Sequence, residues 1–243
     1  MTGGKVALVT GCSQGGIGFA LCQELAEKGC TVYATARRLG LCEESVQLAV
    51  DTVMEREGRI DVLINNAGMS GSGALIDIPI EEIVQTFNTN VFSIVRLTKA
   101  VIPHMAARKS GTIVTIGSLA GEIPVPWAGV YAATKAAAHS LTDTLYMECT
   151  PLNINVVLVS PGGVKSNISV NQADRDYLAA IMQRLVMSQQ NNPMPAAAFA
   201  HKYLTLATLS GFYSIMKWLP RGWILRQLWK NLGERPRLKA MQK

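Results

Sequence analysis

The sequence predicts an α/β protein built on one doubly wound, mostly parallel sheet with helices on both faces. Three observations predict it. Short apolar runs alternate with stretches of helical periodicity along most of the chain. The first run ends in a glycine cluster, Gly11-Cys12-Ser13-Gln14-Gly15-Gly16-Ile17-Gly18, that opens a helix. Every later polar or glycine-rich cluster also falls at the carboxyl end of an apolar run, where such sheets bind ligands.

The elements follow in order. Residues 5–10, KVALVT, read as a buried parallel strand. Residues 17–28 carry Leu21, Leu25 and Ala26 at helical spacing, and Gly29 is the stop. Residues 31–36 form the next strand. Residues 45–57 place Val46, Ala49, Val50, Val53 and Met54 on one helical face. A strand at 61–64 ends in Asn65-Asn66-Ala67-Gly68, and one long helix is expected from about 81 to 107. A strand at 111–116 ends in Gly117-Ser118. A helix at 131–148 and a strand at 154–159 lead to Ser160-Pro161-Gly162-Gly163. Residues 191–195, NNPMP, read as a loop separating a body, 1–190, from a C-terminal tail, 191–243.

With 243 residues, 49% hydrophobic and 16% charged, the chain can bury a sizeable core and is neither disordered nor collagen-like. The net charge of +6 is uneven: residues 201–243 hold nine Lys/Arg against Glu234 alone, while residues 1–200 are slightly acidic. Five cysteines without a CxxC pair, and three scattered histidines, argue against a disulfide framework and a metal site. No signal-peptide pattern opens the sequence, so an intracellular, reducing setting is expected.

Glycines at the first strand–helix turn let the backbone approach a pyrophosphate, and the helix start supplies N–H donors. A tight ligand-free turn is the rival reading, and the α/β context favours a dinucleotide. Arg37 and Arg38, directly after the second strand, suit a ribose 2′-phosphate, which points to NADP(H) rather than NAD. Tyr131 and Lys135 stand four apart on one helical face. An adjacent ammonium would lower the phenol's pKa toward the range useful for proton transfer. Ser118, thirteen residues before Tyr131, can bond a substrate oxygen as it gains charge. Asn90 lies inside an apolar helix where asparagine is a poor former, so it either bonds to backbone or serves the site.

In this order and spacing, the glycine stretch, Asn65-Asn66-Ala67-Gly68, Asn90, Ser118, Tyr131 with Lys135, and Pro161-Gly162-Gly163-Val164-Lys165-Ser166 resemble the short-chain dehydrogenase/reductase family over about residues 5–170. The resemblance implies a single-domain Rossmann fold and hydride transfer between a nicotinamide and a carbonyl or carbinol carbon. It implies that Tyr131 exchanges the proton, Lys135 tunes it and holds the nicotinamide ribose, Ser118 polarises the carbonyl and Asn90 holds a water in the relay. It implies cofactor contacts from Gly11, Ser13, Gln14, Gly16, Ile17, Gly18, Asn66, Ala67, Gly68, Lys99, Val164 and Ser166, beside Arg37 and Arg38. The extra residue in Thr10–Gly18, Ala36-Arg37-Arg38, the Gly117–Gly121 turn and Asn192-Pro193-Met194-Pro195-Ala196 are similar to fungal NADPH-dependent 1-acyldihydroxyacetone-phosphate reductases, which work on lipid droplets and the endoplasmic reticulum. A soluble ketone reductase of a fungal biosynthetic pathway is the alternative substrate reading.

Only twenty-two residues separate Arg38 from Asp61, and one helix fills most of them. The family's third strand, an edge strand beside the second, is therefore expected to be missing, together with the Asp that contacts adenine. A catalytically impaired scaffold is the reading that this loss motivates. In the tail, Trp218, Trp223, Leu225 and Trp229 interleave with Lys217, Arg221, Arg226 and Lys230. That pattern suits a helix at a membrane or lipid-droplet surface, or a helix closing the pocket over a hydrophobic or acylated ketone. No nucleic-acid module is recognisable. Family members often pair through the helices that include 131–148, so a homo-oligomer is the self-partner the resemblance implies.

Overall fold

In the computed structural model, residues 4–36, 42–166 and 194–205 are described. The two halves of the core are set by strand alternation, which sends successive side chains to opposite faces. In β1 (Val6–Val9), Val6 and Leu8 face one layer, while Ala7 and Val9 face the other. The first layer is α2 (Glu43–Glu57) and α4 (Ser93–Ala107), which bring Val46, Val50, Val53, Leu97, Val101 and Met105. The second is α1 (Ile17–Glu27) with α6 (Ala196–Thr205), which bring Leu21, Leu25 and Phe199.

The sheet has five parallel strands in the order β2 (Thr31–Ala34), β1, β3 (Val62–Asn65), β4 (Gly111–Ile116), β5 (Ile154–Val159). The order reverses at β1/β3, so the crevice between their carboxyl ends is the binding position for this architecture. Among the described residues nothing pairs with the outer side of β2, whose ends are exposed. The short connection to α2 thus leaves β2 as the edge, as the sequence length predicts. Arg37 and Arg38 lie outside the described residues.

Two expectations change. The single helix at 81–107 is three pieces: α3 (Ile80–Phe87), a π-turn (Asn88–Phe92) and α4. The wider π-turn centres on Asn90, whose side chain bonds to backbone elsewhere, and such turns concentrate at functional sites. The loop expected at 191–195 is partly a strand. β7 (Met194–Pro195) pairs in parallel with β6 (Val164–Lys165), and Met194 N–H donates to Gly163 O at 3.1 Å. Residues 194–205 then pack onto α1, burying Phe199 and Ala200, with His201 Nδ1 3.2 Å from Glu24. The rest of the tail lies outside the described residues. Among the described residues no helix is long and apolar enough to cross a membrane.

Candidate active site

The glycine loop is stitched to the turn after β3. The buried Thr10 hydroxyl accepts the N–H groups of Asn66 (3.1 Å) and Ala67 (3.0 Å). The Asn66 amide donates back to Thr10 O (2.7 Å) and Gly11 O (3.1 Å). Glycine is required at two points here. Gly11 has φ +71°, and a Cβ on Gly18 would stand 2.4 Å from the Asn66 amide nitrogen. Asn66 therefore commits its amide nitrogen to holding the loop, whatever its oxygen meets.

Ser13, Gln14 and Gly15 are exposed, and α1 starts with Gly16 at its cap, with no side chain bonded to the cap and no acidic residue in its first turn. An uncapped, acid-free helix start at the sheet crossover fits a phosphate of a nicotinamide dinucleotide. Gly16 and Ile17 form that helix start, and Gly11 packs against Ala67, whose Cα a Cβ on Gly11 would meet at 2.7 Å. Among the described residues no three His, Cys, Asp or Glu side chains gather to hold a metal.

The residues expected to handle the proton, Asn90, Ser118, Tyr131 and Lys135, come together next to Gly68. Asn90, 1% exposed, accepts Met69 N–H (2.8 Å) and donates to Met69 O (2.8 Å) and Thr134 Oγ1 (2.9 Å). Thr134 donates onward to Tyr131 O at 2.7 Å. Lys135, 5% exposed, donates to Ile116 O at 2.8 Å, and its Nζ lies 5.7 Å from the Tyr131 ring centroid. A Cβ on Gly68 would lie 3.6 Å from Asn90 Oδ1 and 3.8 Å from Lys135 Nζ, so this glycine opens the space above both. The Ser118 hydroxyl meets the Tyr131 phenol and also accepts Ala120 N–H at 3.2 Å, starting the turn Leu119–Gly121.

Electrostatics here differ from the expectation for Tyr131. Burial pushes its phenol above the ordinary value of 10.0, and the bond to Ser118 only pulls part of the way back. Burial also lowers Lys135 from 10.5 to about 8. Desolvation dominates both because, among the described residues, neither group has a counter-ion, only neutral partners.

Lys99 is not brought to the site. It is exposed on α4, about 13 Å along the helix from Asn90 at helical rise. It lines a groove of about 450 Å³ whose other wall includes Leu141, Leu145 and Glu148, toward the far end of α5 (Gly129–Cys149). Val164 is buried in the core beside β7, and Ser166 is half-buried at the end of β6. The turn before them is tied to the serine turn, since Leu119 N–H donates to Pro161 O at 3.0 Å. Thr10, Thr134 and His139 join the site without a place among the expected site residues. Only His139 left a signal, being four residues beyond Lys135 and so on the same helical face.

The sequence profile of the short chain dehydrogenases matches residues 5–47 and 42–176, breaking where the chain is short. The chain is 36% identical over 181 residues to a 3-ketodihydrosphingosine reductase of Bacteroides thetaiotaomicron, covering 69% of this chain and 67% of that protein. It is 33% identical over 231 residues to the NADPH-dependent 1-acyldihydroxyacetone phosphate reductase of Saccharomyces cerevisiae, covering 81% and 76%. Among solved structures, a short chain dehydrogenase/reductase from Burkholderia phymatum in complex with NAD superposes with a TM-score of 0.72 at 25% identity, covering 83% of this chain and 85% of that one.

Proposed function

The chain belongs to the short-chain dehydrogenase family, and from that premise we propose that it is an NADPH-dependent reductase acting on the ketone of a hydrophobic or acylated substrate such as 1-acyldihydroxyacetone phosphate. One observation carries the reading: Tyr131 and Lys135 share one face of α5, Lys135 Nζ 5.7 Å from the phenol ring, with the Ser118 hydroxyl beside the phenol and Asn90 joined to Tyr131 O through Thr134. That is the arrangement a proton donor to a forming alkoxide needs, and the phenol is protonated at pH 7 as tyrosines ordinarily are.

When bound, a nicotinamide nucleotide supplies the hydride. The protein's part is the proton and the charge. As the carbonyl oxygen gains negative charge, Ser118 donates a hydrogen bond to it, and the proton on Tyr131 Oη moves to it. Lys135 keeps positive charge beside the phenolate that forms. Asn90 braces Met69 and, through Thr134, the start of α5, which keeps Tyr131 in line. Gly11, Ser13, Gln14, Gly16, Ile17, Gly18, Ala67 and Gly68 would receive the nucleotide, with Val164 and Ser166 at its nicotinamide end and Arg37 and Arg38 at its 2′-phosphate.

The names of the two relatives support a lipid ketone, and one of them supports NADPH. The basic, tryptophan-rich tail supports action at an endoplasmic-reticulum or lipid-droplet surface. A second reading, a nucleotide-free scaffold, is favoured by the open edge of β2.

Fluorescence titration with NADPH and NADH separates the two. Tighter NADPH binding, lost in Arg37→Ala, together with a fall of roughly 10³ in ketone-dependent NADPH oxidation in Tyr131→Phe, is expected for the reductase. Binding of neither nucleotide leaves the scaffold.

A further inference from the structure

We propose that His139 is a positioning residue of this site: its neutral ring accepts the Ser118 N–H, fixes the backbone of Ser118 and so aims the serine hydroxyl at the substrate oxygen. The catalytic consequence rests on the reductase reading; the state of the ring does not.

His139 is 6% exposed, one turn beyond Lys135 and two beyond Tyr131 on α5. Its Nε2 accepts the Ser118 N–H at 3.2 Å and lies 3.4 Å from the Ser160 hydroxyl. Accepting a backbone N–H needs a lone pair on Nε2, so the ring proton belongs on Nδ1. Nδ1 stands 3.3 Å from Glu122 Oε1, within ion-pair distance but outside hydrogen-bond geometry. One ring therefore joins the ends of β4 and β5 at the residue that faces the substrate.

The serine turn is shaped to admit this ring. A Cβ on Gly117 would lie 2.3 Å from His139 Nε2, and one on Gly121 would lie 2.8 Å from Cε1. Neither glycine has a positive φ, so both are there for space and not for backbone conformation. The Gly-Ser-Leu-Ala-Gly turn and His139 are thus one assembly contributed by two elements.

Among the described residues, the charged groups facing the ring are Glu122 beyond the serine turn and Lys135 and Asp143 on α5; β4 and β5 present Gly117, Leu158 and the Ser160 hydroxyl. Burial pushes the imidazole below its ordinary value and outweighs the pull of Glu122 and Asp143, while Lys135 adds to the fall. The ring is therefore neutral at pH 7, and acid would remove the acceptor that Ser118 uses.

Long-range 15N NMR of the whole chain reads the ring directly. The Nδ1-protonated neutral tautomer is expected at pH 7, and a ring protonated on Nε2 overturns the proposal whether or not the protein turns over a ketone. In NADPH-loaded protein with 1-acyldihydroxyacetone phosphate, His139→Phe fills the space without an acceptor. Its kcat should fall roughly tenfold with the KM for NADPH unchanged, and His139→Gln, which keeps an acceptor, should recover part of it. The acid limb of kcat should follow the NMR titration of His139 and disappear in the Gln variant. A His139→Phe kcat within twofold of wild type overturns the positioning role. If that variant does not fold, an unchanged acid limb in His139→Gln overturns it instead. A wild-type chain that binds neither nucleotide overturns the reductase reading and the catalytic half of this one, while the tautomer still decides the other half.

Discussion

The two rims of the sheet handle buried polarity in opposite ways. At the amino ends of the strands, Asp61 accepts Val6 N–H at 2.8 Å and pairs with Arg108 at 3.0 Å and Arg59 at 3.2 Å. Burial alone would raise its carboxyl, but those partners hold it below the usual carboxylate range. At the carboxyl ends, Lys135 is buried with a carbonyl as its acceptor, and its ammonium is correspondingly destabilised. The Asn65 amide and the Thr115 hydroxyl, neighbours in the β3–β4 register, are also buried there with no hydrogen-bond partner among the described residues. One rim spends its polar groups on stability, while the other keeps them where they cost stability, at the site proposed to carry the chemistry.

Lys135→Met tests that contrast most strongly. It should abolish turnover and yet raise stability at pH 7 by about 3 kcal/mol. The sign follows from linkage. The folded value near 8 is below the unfolded 10.5, so the unfolded chain binds more protons between them. Wild-type stability should therefore rise across pH 8 to 10.5, and that rise should be missing from the Met variant in urea melts. A Met variant less stable than wild type at pH 7 breaks the contrast.

Gly18→Ala sharpens it from the packing side. The new methyl would meet Asn66 Nδ2 at 2.4 Å and Gly11 O at 2.5 Å, both held by the loop's own bonds. A loss of about 2 kcal/mol is expected in urea unfolding, with weaker NADPH binding by titration. Asp61→Asn, on the opposite rim, should cost about 1 kcal/mol and leave ketone turnover unchanged. Asp61's contribution is present above its unfolded value near 3.8 and fades as pH falls through the lower folded one. The variant and wild type should thus converge in stability in strong acid.

Much of the site was legible from local pattern. Tyr131 and Lys135 had to share a face once α5 was helical, and the glycine cluster had to sit at the sheet's crossover once the strands alternated with helices. The short stretch between Arg38 and Asp61 made β2 an edge by counting alone. Other features were invisible for a physical reason: they are contacts between distant segments. Asn66 turns its amide to carbonyls fifty-five and fifty-six residues away, and Lys99 ends up on the α4–α5 groove because helix phase and length carry it there. The π-turn at Asn90 answers to Met69 and Thr134, and no periodicity along one segment encodes that.

The sequence by itself determined the strand–helix order, the missing edge and the shared helical face of Tyr131 and Lys135, because those depend on near neighbours and chain length. Only the tertiary structure decided their protonation and their braces. Burial, which no local pattern measures, raises Tyr131 and lowers Lys135. The ring that steadies Ser118 comes from a helix twenty-one residues further along the chain.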